Sequence, residues 1–226
     1  ITPDDKISNK EACEFAQDGL SLPNKNYYLD PNFAPIREKF LVYAGKMFMQ
    51  MHENAEQAEK DAKTILAIET ELAKASMSPI QERDVHTVYN KMPYARFAEI
   101  AHVIDLKACM DTFGLHGVDT VIVGQPQFFA ALDSITKAFP LDDWKSYLKF
   151  HLLRSKAGML GDTIAGINFD FYGRSLSGAK AMRPLWKRAV EATSGSMGEL
   201  LGQLYVKQYF SPEAKQKVYD MVHNII

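Results

Sequence analysis

The sequence predicts a mainly α protein, a multi-helical lobe with at most one or two short strands. The composition is that of a folded domain with a sizeable core, since 46% of the 226 residues are hydrophobic and 24% are charged. Apolar residues recur three and four positions apart in several long segments, which is the period of a helix facing a core. Only residues 119–123 (DTVIV) combine β-branched residues with a following glycine in the manner of a strand.

The first thirty residues are predicted to form an irregular arm, followed by a helical body of residues 31–226. Glycine, proline and asparagine interrupt any period between Gly19 and Asp30. A first helix is expected between Phe33 and Met51, and the clearest helix between Glu56 and Ala75. Their apolar stripes consist of Ile36, Phe40, Tyr43, Met47 and Met51, and of Ala58, Ala62, Ile65, Ile68, Leu72 and Ala75.

The middle of the chain predicts shorter elements. Residues 80–117 are expected to form short helices broken by Pro93, Gly114 and Gly117. Their core contacts should be Phe97, Ile100, Ile104 and Phe113. The strand at 119–123 needs a pairing partner that the sequence does not identify.

Helices are expected again from Pro126 to about Ala138 and from an acidic start at residues 140–144. In the second of these helices Trp144, Leu148 and Leu152 should face inward. Residues 168–178 are predicted to be a helix end with a loop.

The last part of the chain predicts two further helices. One starts near Pro184, and its small residues Gly195, Gly198 and Gly202 would allow another backbone to approach closely. The final helix should be capped by Ser211, with Pro212 at its first position.

Charge and cysteine content exclude several classes of protein. Lys and Arg number 26 against 28 Asp and Glu, scattered along the chain, so a nucleic-acid surface is not expected. No hydrophobic run approaches the roughly 18 residues of a membrane span. Cys13 and Cys109 are expected to be reduced or simply packed, with one long-range disulfide as the alternative. Because the chain opens with Ile1, without an initiator Met or a signal-peptide pattern, we expect the gene product to begin earlier.

Motifs for catalysis or metal binding are missing from the sequence. Residues 52–56 (HENAE) begin like the zinc-peptidase motif H-E-x-x-H, but Glu56 stands where the second imidazole is needed. There is no G-x-S-x-G elbow and no phosphate-binding glycine loop. His151, between Phe150 and Leu152, is expected to be a hydrogen-bonded packing residue. We therefore predict no catalytic, cofactor-binding or metal-ligating residue, although a Ser-His-Asp set could still assemble in space.

Six blocks of sequence carry a family resemblance. They are residues 19–29 (GLSLPNKNYYL), 69–73 (ETELA), 89–92 (YNKM), 168–178 (NFDFYGRSLSG), 183–188 (RPLWKR) and 198–206 (GELLGQLYV). In order and spacing the chain resembles the neprilysin-like zinc endopeptidases, which include endothelin-converting enzymes and bacterial oligopeptidases. In the first block Ser21 replaces a usual glycine, and Asn24, Lys25 and Asn26 replace the usual Asp, Arg and Asp.

The resemblance implies a helical N-terminal lobe that caps a zinc-bearing catalytic lobe across a closed cavity and admits only short peptides. In the family the H-E-x-x-H pair, the glutamate ligand and the substrate-binding Asn-Ala-Phe/Tyr segment follow the last block. None of them can be assigned to a residue of this sequence. The resemblance further implies zinc in the missing catalytic lobe, that lobe and oligopeptides as partners, and an extracytoplasmic parent protein. The scarcity of cysteine favours a bacterial source.

Three functions follow from these observations. The first is the non-catalytic, substrate-restricting lobe of a zinc endopeptidase, inactive by itself. The second is a free-standing helical module that binds a peptide or protein without cleaving it. The third is a self-contained hydrolase that uses dispersed histidine and acidic residues.

Overall fold

Helices dominate the chain, and the predicted mainly α class is confirmed. The structure, a computed structural model, describes residues 1–225. The chain divides into two compact units, Ile1–Lys180 and Ala181–Ile226. The helices of the first unit are α1 (Asn26–Leu29), α2 (Ala34–Met49), α3 (Ala55–Ala75), α4 (Pro79–Glu82), α5 (Val85–Val88), α6 (Tyr94–Ile100), α7 (Leu106–Thr112), α8 (Pro126–Ala138), α9 (Leu141–Lys156) and α10 (Asp162–Asn168). Its helical part also includes short 3₁₀ turns at Pro31–Phe33 and Ala157–Met159 and a π-helical segment at Phe169–Leu176.

The core of the first unit lies around α2 and α3. Asn54 caps α3, since its side chain accepts a hydrogen bond from the backbone N–H of Gln57 at 2.8 Å. The predicted stripes are buried at Phe40, Tyr43 and Met47 of α2 and at Ala58, Ala62, Ile65, Ile68 and Leu72 of α3. Phe150 of α9 closes this core, with its ring centroid 5.8 Å from that of Phe40 and 5.8 Å from that of Phe48.

A four-stranded sheet lies beside the helices, with the strand order β1-β2-β4-β3. The strands are β1 (Thr2–Asp4), β2 (Ile7–Phe15), β3 (Lys91–Pro93) and β4 (Thr120–Val123). The predicted strand at 119–123 is β4. It runs parallel to β2 and antiparallel to β3, which supply the partners that the sequence did not identify.

The sheet corrects two expectations, the irregular arm and the strand count of at most two. Residues 2–15 form an antiparallel hairpin, and only the following stretch to residue 25 lacks regular structure. The pattern of β2 is mostly polar and exposed, so it has no alternation that would indicate a strand. Pairing of Cys13 with Val121 and of Phe15 with Val123, far along the chain, makes it a strand.

The buried faces of two helices also differ from expectation. In α9 Trp144 packs against the core as predicted, and Tyr147 and Phe150 are buried. Leu148 and Leu152 are instead 63% and 65% exposed. Phe113 follows α7 and is exposed, not buried as predicted. In α9 more than one face of the helix is apolar, and tertiary packing decides which of them is covered. Phe113 is exposed because α7 ends at Thr112, before it could continue the buried face of that helix.

The segment at residues 168–178 is a continuation of α10, not a helix end with a loop. Its backbone widens into a π-helical turn over Phe169–Leu176, and the hydroxyls of Ser175 and Ser177 donate to the carbonyls of Asp170 and Tyr172. The wide turn buries Phe171 in the core, where its ring stacks on Tyr43 with centroids 4.8 Å apart.

The second unit consists of α11 (Leu185–Tyr209) and α12 (Pro212–His223). The predicted cap is confirmed, since Ser211 Oγ accepts from the N–H of Ala214 at 3.2 Å. The expected close approach at Gly195, Gly198 and Gly202 is not observed, because a Cβ built at any of them meets no other atom within 4 Å in the part of the chain described. No residue between 181 and 225 is buried.

Candidate functional site

A buried carboxylate, Glu69 of α3, is the centre of the polar interior of the first unit. Its Oε1 accepts a hydrogen bond from Ser21 Oγ at 2.6 Å and lies 2.9 Å from His151 Nε2. Its Oε2 accepts from the N–H of Ser21 at 3.0 Å and from Tyr28 Oη at 2.5 Å. Each oxygen therefore has two partners. These contacts offset the loss of water, which makes an isolated buried charge costly.

Helical spacing places the Glu69 carboxylate on the buried side of α3. Glu69 lies four residues after Ile65 and three before Leu72, on the buried stripe of α3. The phenol of Tyr28 reaches it from α1. Burial, together with the negative charge of Glu69, raises the pKa of Tyr28 far above the ordinary value of a phenol. Tyr28 therefore stays protonated and keeps donating to Glu69.

A second set of side chains holds the segment that contains Ser21. Tyr172 Oη donates to the carbonyl of Ser21 at 2.9 Å, and Arg154 Nη1 donates to Tyr172 Oη at 3.1 Å. Tyr147 Oη donates to the carbonyl of Gly19 at 2.7 Å. The contacts of Glu69 and those that hold Ser21 together form what we call the Glu69 network. It consists of Ser21, Tyr28, Glu69, His151, Arg154 and Tyr172.

Gly19 allows the chain to enter the network. Its φ is +100°, a region that side chains other than glycine rarely adopt. A Cβ at this position would lie 2.6 Å from Tyr147 Oη. Both the backbone conformation and the approach of Tyr147 therefore require glycine here.

Three of the six sequence blocks, 19–29, 69–73 and 168–178, meet in the Glu69 network. The expectation that His151 is a hydrogen-bonded packing residue is confirmed by its contact with Glu69 and by its ring, 4.2 Å from that of Tyr147. Sequence reasoning did not single out Glu69 as the centre. The available signal was a pair of acidic residues, Asp61 and Glu69, inside an otherwise apolar helical stripe.

Ser21, Glu69 and His151 are the residue types of a hydrolytic triad, but their order in space is different. In a triad the histidine lies between the hydroxyl and the acid and takes the proton of the hydroxyl. Here the carboxylate lies between Ser21 and His151 and is contacted by both. Ser21 is 4% exposed and Glu69 0% exposed, so a substrate carbonyl cannot reach the hydroxyl. This arrangement positions the backbone and does not activate a nucleophile.

The residues described do not fit a zinc site. Among residues 1–225 no three His, Cys, Asp or Glu side chains come close enough to hold a metal ion. His52 lies in the turn between α2 and α3, whereas Glu56 lies in the first turn of α3, so the two are not on one helix. Cys13 and Cys109 are both free thiols, and the disulfide considered above does not form.

Two surface clefts flank α2. One, of about 460 Å³, lies between α2 and α3 and is mostly apolar, with Val42 and Met49 at its wall. The other, of about 370 Å³, lies between α2 and the π-helical segment. Over residues 1–225, no helix combines the length and the apolar character that crossing a bilayer requires.

Comparison with known proteins shows the family to which this chain belongs. The N-terminal model of peptidase family M13 matches residues 1–226, and the chain belongs to that family. The neutral endopeptidase of Lactobacillus helveticus is 25% identical over the whole chain, which corresponds to 35% of that protein. Endothelin-converting enzyme 1 of Cavia porcellus is 23% identical, again over the whole chain and over 31% of its own length.

A solved structure supports the family assignment. The zinc metalloprotease ZMP1 of Mycobacterium tuberculosis, in its open state, superposes with a TM-score of 0.86 and 29% identity, over 93% of this chain and 33% of that one. The resemblance to neprilysin-like endopeptidases is thus confirmed. The chain spans about a third of the length of the relatives it matches, and in those larger peptidases the corresponding region is part of a longer polypeptide.

Proposed function

We propose that this chain is the non-catalytic, substrate-restricting helical lobe of an M13 zinc endopeptidase that cleaves oligopeptides. The observation that carries the proposal is the Glu69 network. Three of the blocks that carry the family resemblance supply four of its six members, so these residues serve the architecture of the lobe and not a reaction. A wall that admits peptides and excludes folded proteins needs a fixed shape and no reactive group. Zinc and the residues that bind it belong, in this proposal, to the rest of the polypeptide.

The proposal is tested by comparing the 226-residue chain with the natural polypeptide that contains it. The longer polypeptide should bind zinc and cleave oligopeptides while leaving folded proteins intact. The 226-residue chain should cleave neither oligopeptides nor folded proteins, with or without added zinc. Peptide cleavage by the 226-residue chain that is lost on chelation would instead support the self-contained hydrolase.

A second candidate is a free-standing module that binds peptides, and the apolar cleft between α2 and α3 favours it. Val42 and Met49 are 59% and 50% exposed at the cleft, where they could contact an apolar side chain. Titration of the 226-residue chain with a set of apolar peptides, followed calorimetrically, distinguishes the two candidates. The module predicts saturable binding that Val42→Asp abolishes, whereas the lobe predicts no saturable binding by this chain alone.

A further inference from the structure

The turn between α2 and α3 brings two carboxyl groups together, those of Glu53 and Asp61. Glu53 belongs to the turn and is partly buried, whereas Asp61 lies on α3 and is 5% exposed. The two carboxyl groups are within hydrogen-bonding distance of each other. Two ionised carboxylates would repel at this distance, and neither could donate to the other. The contact therefore requires a proton on one of them.

The donors around the pair indicate which carboxyl group holds the proton. Asp61 accepts on both oxygens, from Gln57 Nε2 at 3.0 Å and from Ser146 Oγ at 3.2 Å. Glu53 Oε2 is buried, and no donor among residues 1–225 reaches it. Donors stabilise the ionised form of a carboxyl group, whereas a buried oxygen without a donor favours the protonated form. The proton therefore belongs on Glu53, which donates it to Asp61.

The surroundings of Glu53 favour the protonated form. Burial raises the pKa of Glu53 above its ordinary value of 4.5, and the negative charge and hydrogen bond of Asp61 raise it further. Lys149 on α9 acts in the opposite direction, and its effect on the pKa is the smallest of these. The charged groups that act on Glu53 from the two helices beside the turn thus differ in sign, and the acidic one is the stronger.

The turn that carries Glu53 needs contacts to keep its shape. His52 has a φ of +65°, a left-handed conformation that is uncommon for residues with a side chain. Asp61 links the Glu53 carboxyl group to α3 and, through the hydrogen bond from Ser146, to α9. Met49, the last residue of α2, lines the apolar cleft between α2 and α3. The position of the turn therefore fixes one end of that cleft.

We propose that the Glu53–Asp61 pair is a pH-dependent switch, in which a proton on Glu53 holds the turn between α2 and α3 closed and loss of that proton opens it. The turn opens because two negative charges then face each other where water is largely excluded. Since the folded pKa of Glu53 is raised, the stabilisation is complete below the unfolded pKa and is lost as the pH rises through the folded pKa. The turn is therefore closed in acid and opens towards neutral pH.

A carbon-13 NMR titration of the 226-residue chain measures the protonation of Glu53. Glutamate is labelled at the side-chain carboxyl carbon, and the Glu53 resonance is the one that is absent from Glu53→Gln. Its titration midpoint should lie above 4.5, and Asp61→Asn should lower the midpoint because the neighbouring charge is removed. A midpoint at or below 4.5 in the parent chain would overturn the inference.

Hydrogen exchange measured by mass spectrometry reports whether the turn opens. The N–H groups of residues 50–52 donate to carbonyls in the last turn of α2. Their protection, corrected for the intrinsic pH dependence of exchange, should be at least about threefold lower at pH 7.5 than at pH 4.5. Glu53→Gln should keep its protection at pH 7.5, because the glutamine NH₂ donates to Asp61 without titrating. Glu56→Gln, exposed in the first turn of α3, makes the same change of charge and should behave as the parent chain.

Three exchange results would also overturn the inference. They are protection that does not change between the two pH values, an equal loss of protection in Glu53→Gln and the parent chain, and protection that increases with pH. The last result would indicate an ionised Glu53 that pairs with Lys149. None of these measurements uses peptidase activity, so the switch and the proposed function are tested separately.

Discussion

His151 Nε2 lies 2.9 Å from Glu69 Oε1, so the imidazole on α9 and the carboxylate on α3 meet inside the helical unit. The same carboxylate accepts hydrogen bonds from Ser21 and Tyr28. Ser21 and His151, which lie more than a hundred residues apart in the chain, thus contact the same carboxylate. The stability of the unit should depend on that acceptor more than on any surface charge.

Glu69→Ala should lower the free energy of unfolding by about 3 kcal/mol, because buried donors from Ser21 and Tyr28 lose their acceptor. The measurement is urea denaturation of the 226-residue chain followed by circular dichroism. Glu59→Ala, on the same helix but in an exposed pair with Lys63, should produce no measurable change. Equal effects of the two substitutions would contradict a structural role for the Glu69 network.

Tyr28→Phe should cost about 2 kcal/mol, because the hydroxyl donates to Glu69 and also accepts from the N–H groups of Ser21 and Leu22. The matched control is Tyr27→Phe. The ring of Tyr27 stacks on Phe33 with centroids 4.2 Å apart, and this stacking is kept in phenylalanine. Denaturation midpoints of the two variants should therefore differ clearly, and coinciding midpoints would count against the hydrogen bonds of Tyr28.

Gly19→Ala should destabilise the unit by about 2 kcal/mol, through its positive φ and the contact with Tyr147 Oη. Adding Tyr147→Phe to Gly19→Ala should recover part of this loss, since it removes the hydroxyl that the new methyl group meets. Gly158→Ala, where a Cβ meets no neighbour within 4 Å among the residues described, is the control. Thermal unfolding of the parent chain, Gly19→Ala, Tyr147→Phe, the double variant and Gly158→Ala tests this explanation. A loss of stability in the double variant that exceeds the sum of the losses in its two single variants would contradict the steric explanation.

Phe150→Ala should destabilise by about 4 kcal/mol, because it opens a cavity between α2 and α9. Leu148→Ala on the outer face of α9 should stay within about 0.5 kcal/mol of the parent chain. Chemical denaturation of both variants measures the difference. A large effect of Leu148→Ala in the 226-residue chain would show that the outer face of α9 is covered.

The Asp4 carboxylate should make the N-terminal hairpin sensitive to acid. Its hydrogen bond from Lys91 Nζ, at 2.7 Å, holds the pKa of Asp4 well below the ordinary value of 3.8, with further contributions from the Lys6 N–H and Tyr89. Because the folded pKa is depressed, the stabilisation is complete above the unfolded pKa and is lost as the pH falls through the folded pKa. The stability difference between the parent chain and Asp4→Asn should therefore be largest near neutral pH and shrink below about pH 4.

This dependence is measured by urea denaturation at a series of pH values, with Asp5→Asn as the control in the adjacent turn. Asp5→Asn should follow the parent chain throughout. A gap between Asp4→Asn and the parent chain that stays constant down to pH 2 would contradict the ion pair.

The sequence predicted the helices whose amphipathic pattern is local, and missed what depends on distant contacts. The stripe of α3 was predicted correctly because a single face of that helix is apolar, whereas α2 also carries Val42 and Met49 on its exposed side. In α9 both Leu148 and Phe150 are apolar, and only packing against α2 selects Phe150. For β2 no local pattern exists, since its pairing with β4 is long-range.

The candidate site was predicted only in part. His151 was identified as a packing residue from its apolar neighbours, but its partner was not. Glu69 could not be recognised as a centre, because Ser21, Tyr28 and His151 lie in segments that only the folded chain brings together. The wide turn after Asn168 was missed because a π-helical segment has no distinctive residue pattern of its own.

The pairing of β2 with β4 sets an order of events during translation. Phe15 finds its partner Val123 only after more than a hundred further residues have left the ribosome, which takes roughly ten seconds at common elongation rates. Throughout that interval the nascent strand has an open edge to which other chains could add. The polar, solvent-facing side chains that hid β2 from sequence analysis also keep this waiting strand from aggregating.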